Sequence, residues 1–388
     1  MKRHRYQWVI GGLVLLVAFM VGLAVYQTQR RPKSLTTVND DLIRVHYRQW
    51  QREYLSGQQQ KFVLTRGAEH PQALSESQGY GMLITVLAAK HGMPTRQTFD
   101  QLVAYYLAHR VSPTNPLMAW RQKQVGQRMH STPAEMTSAT DGDLDIAYAL
   151  ILADDQWGSI GSVDYKGLAQ QLIRAIKQYE IDPVTQLPRV GNWATTPATQ
   201  HLVRPSDLMT AYFRRFARYM QDGEWTQVAL NSQTVLQKLS QQRSSGLMPD
   251  FTQVSGEHLT IRPVHARQVA SPYDNQYGFN ACRVPWRVAY DYQLSRSPVS
   301  RDVTAKMLAF FARQSRITAV YTLTGRPVET YPNQAFSAPV AYAAQVMGHQ
   351  RLVTWYAPSL KRVGASNAYY PATLQMLLLL QSGELAHD

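Results

Sequence analysis

The sequence predicts an all-α fold built as a double ring of helices, and three observations carry that reading. Helical periodicity fills the 388-residue chain from about residue 39 onward, while persuasive strand patterns are scarce. The helical stretches alternate between a charged, amphipathic kind suited to an outer layer and an apolar kind suited to an inner one. The connections leading into the apolar helices include long ones, at 111–139, 180–205 and 243–281, and long ordered loops in a compact domain are usually functional.

Taken in order, residues 1–7 form a basic N-terminus containing Lys2, Arg3 and Arg5. Trp8 to Tyr26 follows as 19 residues without a charge, close to the ~20 apolar residues that span a bilayer as one transmembrane helix. Its terminal rings stand where aromatic side chains sit at headgroup level. Arg30, Arg31 and Lys33 balance the basic residues on the other side, so local charge does not set the orientation. A short basic N-terminus before a large domain favours an uncleaved signal-anchor with that domain exported. The rival is a cleaved signal peptide, for which Gly22 and Ala24 supply small residues. Residues 27–38 are a polar linker.

Beyond the linker, stretches rich in Gln, Lys or Arg at 39–54, 97–110, 164–179, 224–242 and 301–314 read as outer helices, with a weaker sixth near 349–361. The less charged stretches at 76–90, 141–153, 206–219, 283–293, 337–348 and 371–381 read as six inner helices. No repeat or internal linker divides residues 39–388, which form one catalytic domain in this reading. The working cleft is expected at the inner-helix N-termini.

Composition narrows the function. Hydrophobic residues make up 45% and charged residues 17%, which are globular values. Of the net charge of +14, six charges flank the apolar segment, and the +8 left on residues 34–388 is scattered without a dense basic run. That pattern gives no footprint for nucleic acid, and a mildly basic surface repels a polycation such as chitosan. Cys282 is the only cysteine, so an intrachain disulfide is excluded, and without a nearby histidine it reads as a small packed residue. HExxH, zinc-type cysteine clusters and GxSxG are all absent, which disfavours metal-dependent and serine hydrolysis.

Two segments carry chemistry. Leu74 to Met82 reads LSESQGYGM, and Ala139 to Trp157 reads ATDGDLDIAYALILADDQW. Each places a carboxylate at a helix start beside a glycine instead of a bulky side chain, the equipment of acid/base hydrolysis and above all of glycosidic bonds. Ser75 with Gln78 fits a capping box that puts Glu76 at the first helical position. There Glu76 either complements the helix dipole or serves as a general acid. An acid must hold its proton near neutral pH, which a helix N-terminus opposes, so burial or a second carboxylate has to raise its pKa. Asp141 is the natural second carboxylate. Asp141 and Asp143 lie two apart, so one charges the helix start while the other faces the cleft. Asp145, next to the apolar run from Ile146, reads as a helix-surface group. DGDLD lacks the later ligands of a calcium loop.

The segment ATDGDLDIAYALILADDQW resembles the signature of glycoside hydrolase family 8, inverting endoglucanases, lichenases, xylanases and chitosanases. LSESQGYGM resembles that family's general-acid segment, NPLMAW (Asn115 to Trp120) its next stretch, and NACRVPWRVAYDY (Asn280 to Tyr292) the segment around its general base. PSDLMTAYFRRF and AFSAPVAYAA are weaker matches that extend the likeness over roughly residues 40–381. The resemblance implies an (α/α)6 barrel of six inner and six outer helices, preceded here by the transmembrane segment.

It further implies Glu76 as proton donor and Asp141 as the acid that contacts the distorted sugar. Trp120 matches a sugar-stacking tryptophan and Arg283 an arginine on the base-bearing helix. Trp193, Tyr277, Tyr369 and Tyr370 are candidate substrate-binding rings, since pyranose faces stack on aromatics, and core packing is the alternative for each. Where many members carry a general-base aspartate before Ala-Cys-Arg, this chain has Asn280. Asp274 is the only carboxylate in the preceding RQVASPYDNQYGFNACR loop and becomes the candidate base, with an Asx-turn as its alternative role.

The expected activity is therefore endo-acting, inverting hydrolysis of a β-linked polysaccharide, cellulose-like, mixed-linkage or a cell-made exopolysaccharide, without cofactor or metal. A monomer is expected, held at the cell membrane with its catalytic domain outside, or secreted after signal cleavage. Polysaccharide-synthase components are the protein partners that such an anchor suits. The rival reading is a catalytically weak or inactive glycan-binding subunit of a synthesis or export machine, kept open by Asn280.

Overall fold

The computed structural model describes residues 40–65, 70–361 and 368–384. Twelve α-helices lie among them. The outer set is α1 (Asp40–Tyr54), α3 (Arg96–Ala108), α5 (Tyr165–Glu180), α7 (Glu224–Gln242), α9 (Pro298–Phe311) and α11 (Gln350–Leu360). The inner set is α2 (Ser75–Lys90), α4 (Thr140–Trp157), α6 (Thr210–Met220), α8 (Val284–Ser295), α10 (Gln334–Val346) and α12 (Tyr369–Glu384).

Burial explains the alternation. In α5 the buried residues Tyr165, Ala169, Leu172, Ile173 and Ile176 recur at helical spacing, leaving a wet face. In α2 everything from Ser77 to Ala89 is buried, as expected of a helix enclosed on all sides. The inner helices pack in a closed ring: α2 on α4, α6 on α8, α8 on α10, α10 on α12 and α12 back on α2. α4 reaches α6 through the turn Pro205–Asp207 and through Tyr148 stacked on Tyr212, ring centroids 3.8 Å apart.

Short strands, which the periodicity does not reveal, organise the long connections. β1 (Leu55–Ser56) pairs with β2 (Phe62–Val63), while β3 (Gln72–Leu74), β6 (Arg121–Val125) and β7 (Arg128–His130) form one small antiparallel sheet. β8 (Leu202–Val203), β9 (Thr252–Ser255) and β10 (Thr260–Pro263) form another, and β5 (Asn115–Met118) pairs with β4 (Arg110–Ser112). Two-to-five-residue strands carry too little alternation to stand out in a sequence.

The basic N-terminus, the apolar segment 8–26 and the linker lie outside the described residues. Among the described residues no helix is long and apolar enough to cross a membrane.

Candidate active site

The inner-helix N-termini converge on one cleft. α2 and α4 approach closely there because glycines face each other's chain. A Cβ on Gly142 would come 2.5 Å from Ser75 Oγ, and one on Gly79 would come 2.7 Å from Asp145 Cβ. That approach sets Glu76 beside Asp141. The expected Ser75–Gln78 capping box does not form. The helix starts at Ser75, the Ser77 hydroxyl accepts the Leu74 N–H at 3.0 Å, and Gln78 turns away to donate to the Lys61 and Leu102 carbonyls.

Arg283, fully buried at the start of α8, is the hub. Its Nη1 donates to Asp141 Oδ2 at 2.8 Å, to Tyr80 Oη at 3.0 Å and to Glu76 Oε2 at 3.3 Å. Its Nη2 donates to Ser206 Oγ at 3.0 Å and Asn280 Oδ1 at 3.2 Å. Arg204 Nη1, from the connection before α6, reaches the same Asp141 Oδ2 at 2.9 Å. Tyr369, at the start of α12, donates its hydroxyl to Glu76 Oε1 at 3.3 Å.

These partners split the two acids. Burial pushes Glu76 up to about 7, opposed by Arg283 and helped by the charge of Asp141. Burial acts on Asp141 too, but Arg204 and Arg283 together hold it well below the usual carboxylate range. Below about pH 7 the pair is therefore one protonated acid and one fixed anion. Both bond the same Nη1, so their oxygens lie nearer each other than the ~6.5–9.5 Å that leaves room for an attacking water. Asp141, with Oδ2 held by two guanidinium groups and Oδ1 on the Gly142 N–H, holds charge rather than attacking.

Beside this network lies a cavity of about 500 Å³ walled by Trp120, Trp193, Arg204, Phe251, Val269 and Ala270, among others. Trp193 is 41% exposed, as an open ring platform would be. The Arg121 guanidinium covers one side of Trp120, 4.3 Å from the ring centroid.

Several sequence-predicted residues receive other roles. Asp274 is fully buried, and its carboxylate accepts the N–H groups of Val269 at 2.6 Å, Ala270 at 3.0 Å and Ser271 at 2.8 Å. With both oxygens engaged and water excluded, it clamps the loop that walls the cavity, the Asx-type role, instead of activating water. Tyr277 is no platform either: it is fully buried against Phe311, Tyr321 and Phe336. Tyr370 donates to the Phe279 carbonyl at 2.7 Å and so braces the loop before Asn280. Asp145 is not a surface group. It is fully buried in a bidentate pair with Arg287, at 2.9 and 2.6 Å, and accepts the Tyr212 hydroxyl at 2.9 Å. Cys282 is buried, as expected, with its thiol pushed up to about 12 by burial.

Sequence reasoning missed Arg204, whose signal was its place just before the Pro-Ser-Asp turn, and Asp250. The latter is buried before the Asn280 loop and accepts the N–H groups of Gly278, Asn280 and Ala281 at 3.1, 2.9 and 2.7 Å. It thereby shapes the turn that presents Asn280 and Arg283.

A family model described as glycosyl hydrolases family 8 matches residues 17–384. A β-glucanase of Niallia circulans is 30% identical over 364 residues, covering 91% of this chain and 87% of its own. The apo structure of a β-1,3-1,4-glucanase from Paenibacillus sp. X4 superposes with a TM-score of 0.82 at 30% identity, covering 91% of this chain and 94% of the other. A cold-adapted family 8 xylanase shares the fold at 20% identity, with a TM-score of 0.72 over 89% of this chain and 91% of its own.

Proposed function

Since this chain belongs to glycosyl hydrolase family 8, we propose that it is an endo-acting glycoside hydrolase that cleaves a β-linked glucan with inversion. The observation that carries the reading is the convergence of Glu76 and Asp141 on one guanidinium nitrogen of Arg283. As the glycosidic bond breaks, its electron pair goes to the leaving oxygen, which takes the Glu76 proton. The carboxylate left on Glu76 is formed beside Arg283, so the cation stabilises charge that appears only as the proton moves. Burial, helped by the fixed charge of Asp141, keeps Glu76 protonated beforehand. The names of the Niallia circulans and Paenibacillus relatives support a β-glucan, mixed-linkage above all, as substrate.

The water enters on the Asn280 face. Asn280 is held by Arg283 but cannot retain a proton, so the proton of the attacking water passes to solvent and turnover is slow. A panel of soluble β-glucans assayed for reducing-end release tests both parts. The parent should release ends slowly, and Asn280→Asp, whose carboxylate Arg283 Nη2 is placed to receive, should raise kcat by at least about tenfold. No release by either protein defeats the hydrolase reading; release without a gain from Asn280→Asp defeats the water-face assignment.

The uncharged run 8–26 supports a membrane anchor holding the domain outside the cell. Fractionating cells that express the full chain or residues 34–388 tests it: only the full chain should sediment with membranes.

A further inference from the structure

Behind the cleft, a second carboxyl pair is sealed in the protein. Asp143 lies in the first turn of α4, Glu180 is the last residue of α5, and both are fully buried. Each gives one oxygen to a neutral donor. Asp143 Oδ1 accepts the Met118 N–H at 2.8 Å, and Glu180 Oε1 accepts the Ser138 hydroxyl at 2.5 Å. The other two oxygens, Asp143 Oδ2 and Glu180 Oε2, are buried and make no hydrogen bond of normal geometry, with the facing carboxyl and the Thr140 hydroxyl as their polar neighbours. Two ionised carboxylates in that arrangement would each carry the full cost of an unsatisfied buried charge. One proton between them satisfies both.

The surroundings offer little to hold a double negative charge. Asp141 faces Asp143 from the same helix, Tyr106 faces it from α3 with Arg110 beyond, and Asp207 faces Glu180 from the turn before α6. The Thr140 hydroxyl is the remaining polar neighbour. Glu180 also ends its helix, where the dipole disfavours an anion. Burial pushes Glu180 up to about 7 and Asp143 well above its ordinary range.

The pair sits between the two segments that carry the cavity's tryptophans. Met118 ends the strand two residues before Trp120. Ser138, bonded to Glu180, also exchanges two hydrogen bonds with Asn192: its N–H donates to Asn192 Oδ1 at 2.9 Å, and its Oγ accepts the Asn192 N–H at 3.0 Å. Trp193 follows at once, its indole folded over Gly191, where a Cβ would lie 2.6 Å from Nε1. We propose that Asp143 and Glu180 share one proton as a latch that positions Trp120 and Trp193 for the sugar, so that losing this proton loosens the substrate cavity. The substrate part of the proposal rests on reading that cavity as the glucan site.

The sign follows from linkage. A carboxyl pair whose folded pKa is raised contributes stability that is complete below the ordinary carboxylate range and is lost as pH rises through the folded value, by at most about a factor of ten per pH unit for one proton. Glu180→Gln replaces the shared proton by an amide that donates to Asp143 Oδ2 and still accepts from Ser138; Asp143→Asn does the same from the other side. The experiment compares parent, Glu180→Gln and Asp143→Asn between pH 6 and 9. It reads the thermal midpoint without ligand and the Kd for a mixed-linkage β-glucan oligosaccharide. The parent's midpoint should fall with rising pH and its Kd should weaken by about tenfold or more, while at least one isosteric variant falls less steeply in both, the decline left to it being that of Glu76 and other raised carboxyls common to all three proteins. Parallel midpoint curves for all three proteins overturn the latch. Diverging midpoints with parallel Kd curves overturn its positioning role. If no glucan oligosaccharide binds at any pH, the glucan reading fails, while the midpoints still decide whether the proton is shared.

Discussion

Asp141 and Asp143 stand two residues apart on one helix, yet they belong to carboxyl pairs of opposite design. The Glu76–Asp141 pair is threaded by two arginines and opens on the cleft, so one member is fixed as an anion and the other left ready to give up its proton. The Asp143–Glu180 pair meets backbone and hydroxyl donors, with no cation bonded to either member among the described residues, and it is sealed from solvent. Carboxyl chemistry is the same in both; the placement of guanidinium groups and water decides whether a proton is transferred or kept.

The strongest way to break this contrast is to remove the mobile proton. Glu76→Gln should lower kcat at least ~10²-fold, the usual scale of general acid catalysis, with glucan affinity retained. Near-parental kcat in a folded variant would show that the open pair is not the acid. Next comes the fixed anion. Asp141→Ala removes the anion that Arg204 and Arg283 share and leaves them Asp207 and Glu76 alone, a loss of up to about 3–5 kcal/mol, the cost of removing one partner of a buried pair. Denaturant unfolding should show that loss together with a collapse of turnover. Asp143→Ala, removing a group with no bonded cation, should disturb turnover less in equally folded protein.

A milder probe leaves the sequence intact. If Glu76 acts protonated, kcat/KM should be level below pH 7 and fall above it, since its pKa is raised to about 7 and the active form is lost as pH rises through that value. Replacing water by D2O while following the pH profile should move that limb; a rate that climbs steadily to pH 9 contradicts the assignment. The smallest effect concerns a third kind of carboxylate, held by backbone amides alone. Asp274→Asn turns an amide group toward N–H donors and should loosen the cavity wall, raising KM a few-fold, on the order of 1 kcal/mol, with kcat nearly unchanged. A kcat collapse in this variant would restore Asp274 as the water-activating base.

How much of this was legible depended on range. Helix order and inner or outer placement follow from local periodicity, because a helix enclosed on all sides cannot carry charges along its length. That is why the apolar run of α2 and the striped pattern of α5 predict their layers to within a few residues. The paired acids were legible as well, since Gly79 and Gly142 announce a close approach. The sequence also carries the family signature and the substitution at Asn280.

Tertiary structure alone decided which acid does what. Asp145 stands next to an apolar run and reads as a helix-surface group until Arg287, 142 positions away, is seen to pair with it. Asp274 stands in a loop with the right composition for a base until three amides close around its carboxylate. Glu180 ends an outer helix, and only the fold turns it inward onto Asp143. A pKa, and with it a chemical role, is set by the burial and charges that distant segments bring to a carboxyl group. That sum exists only after the chain has folded.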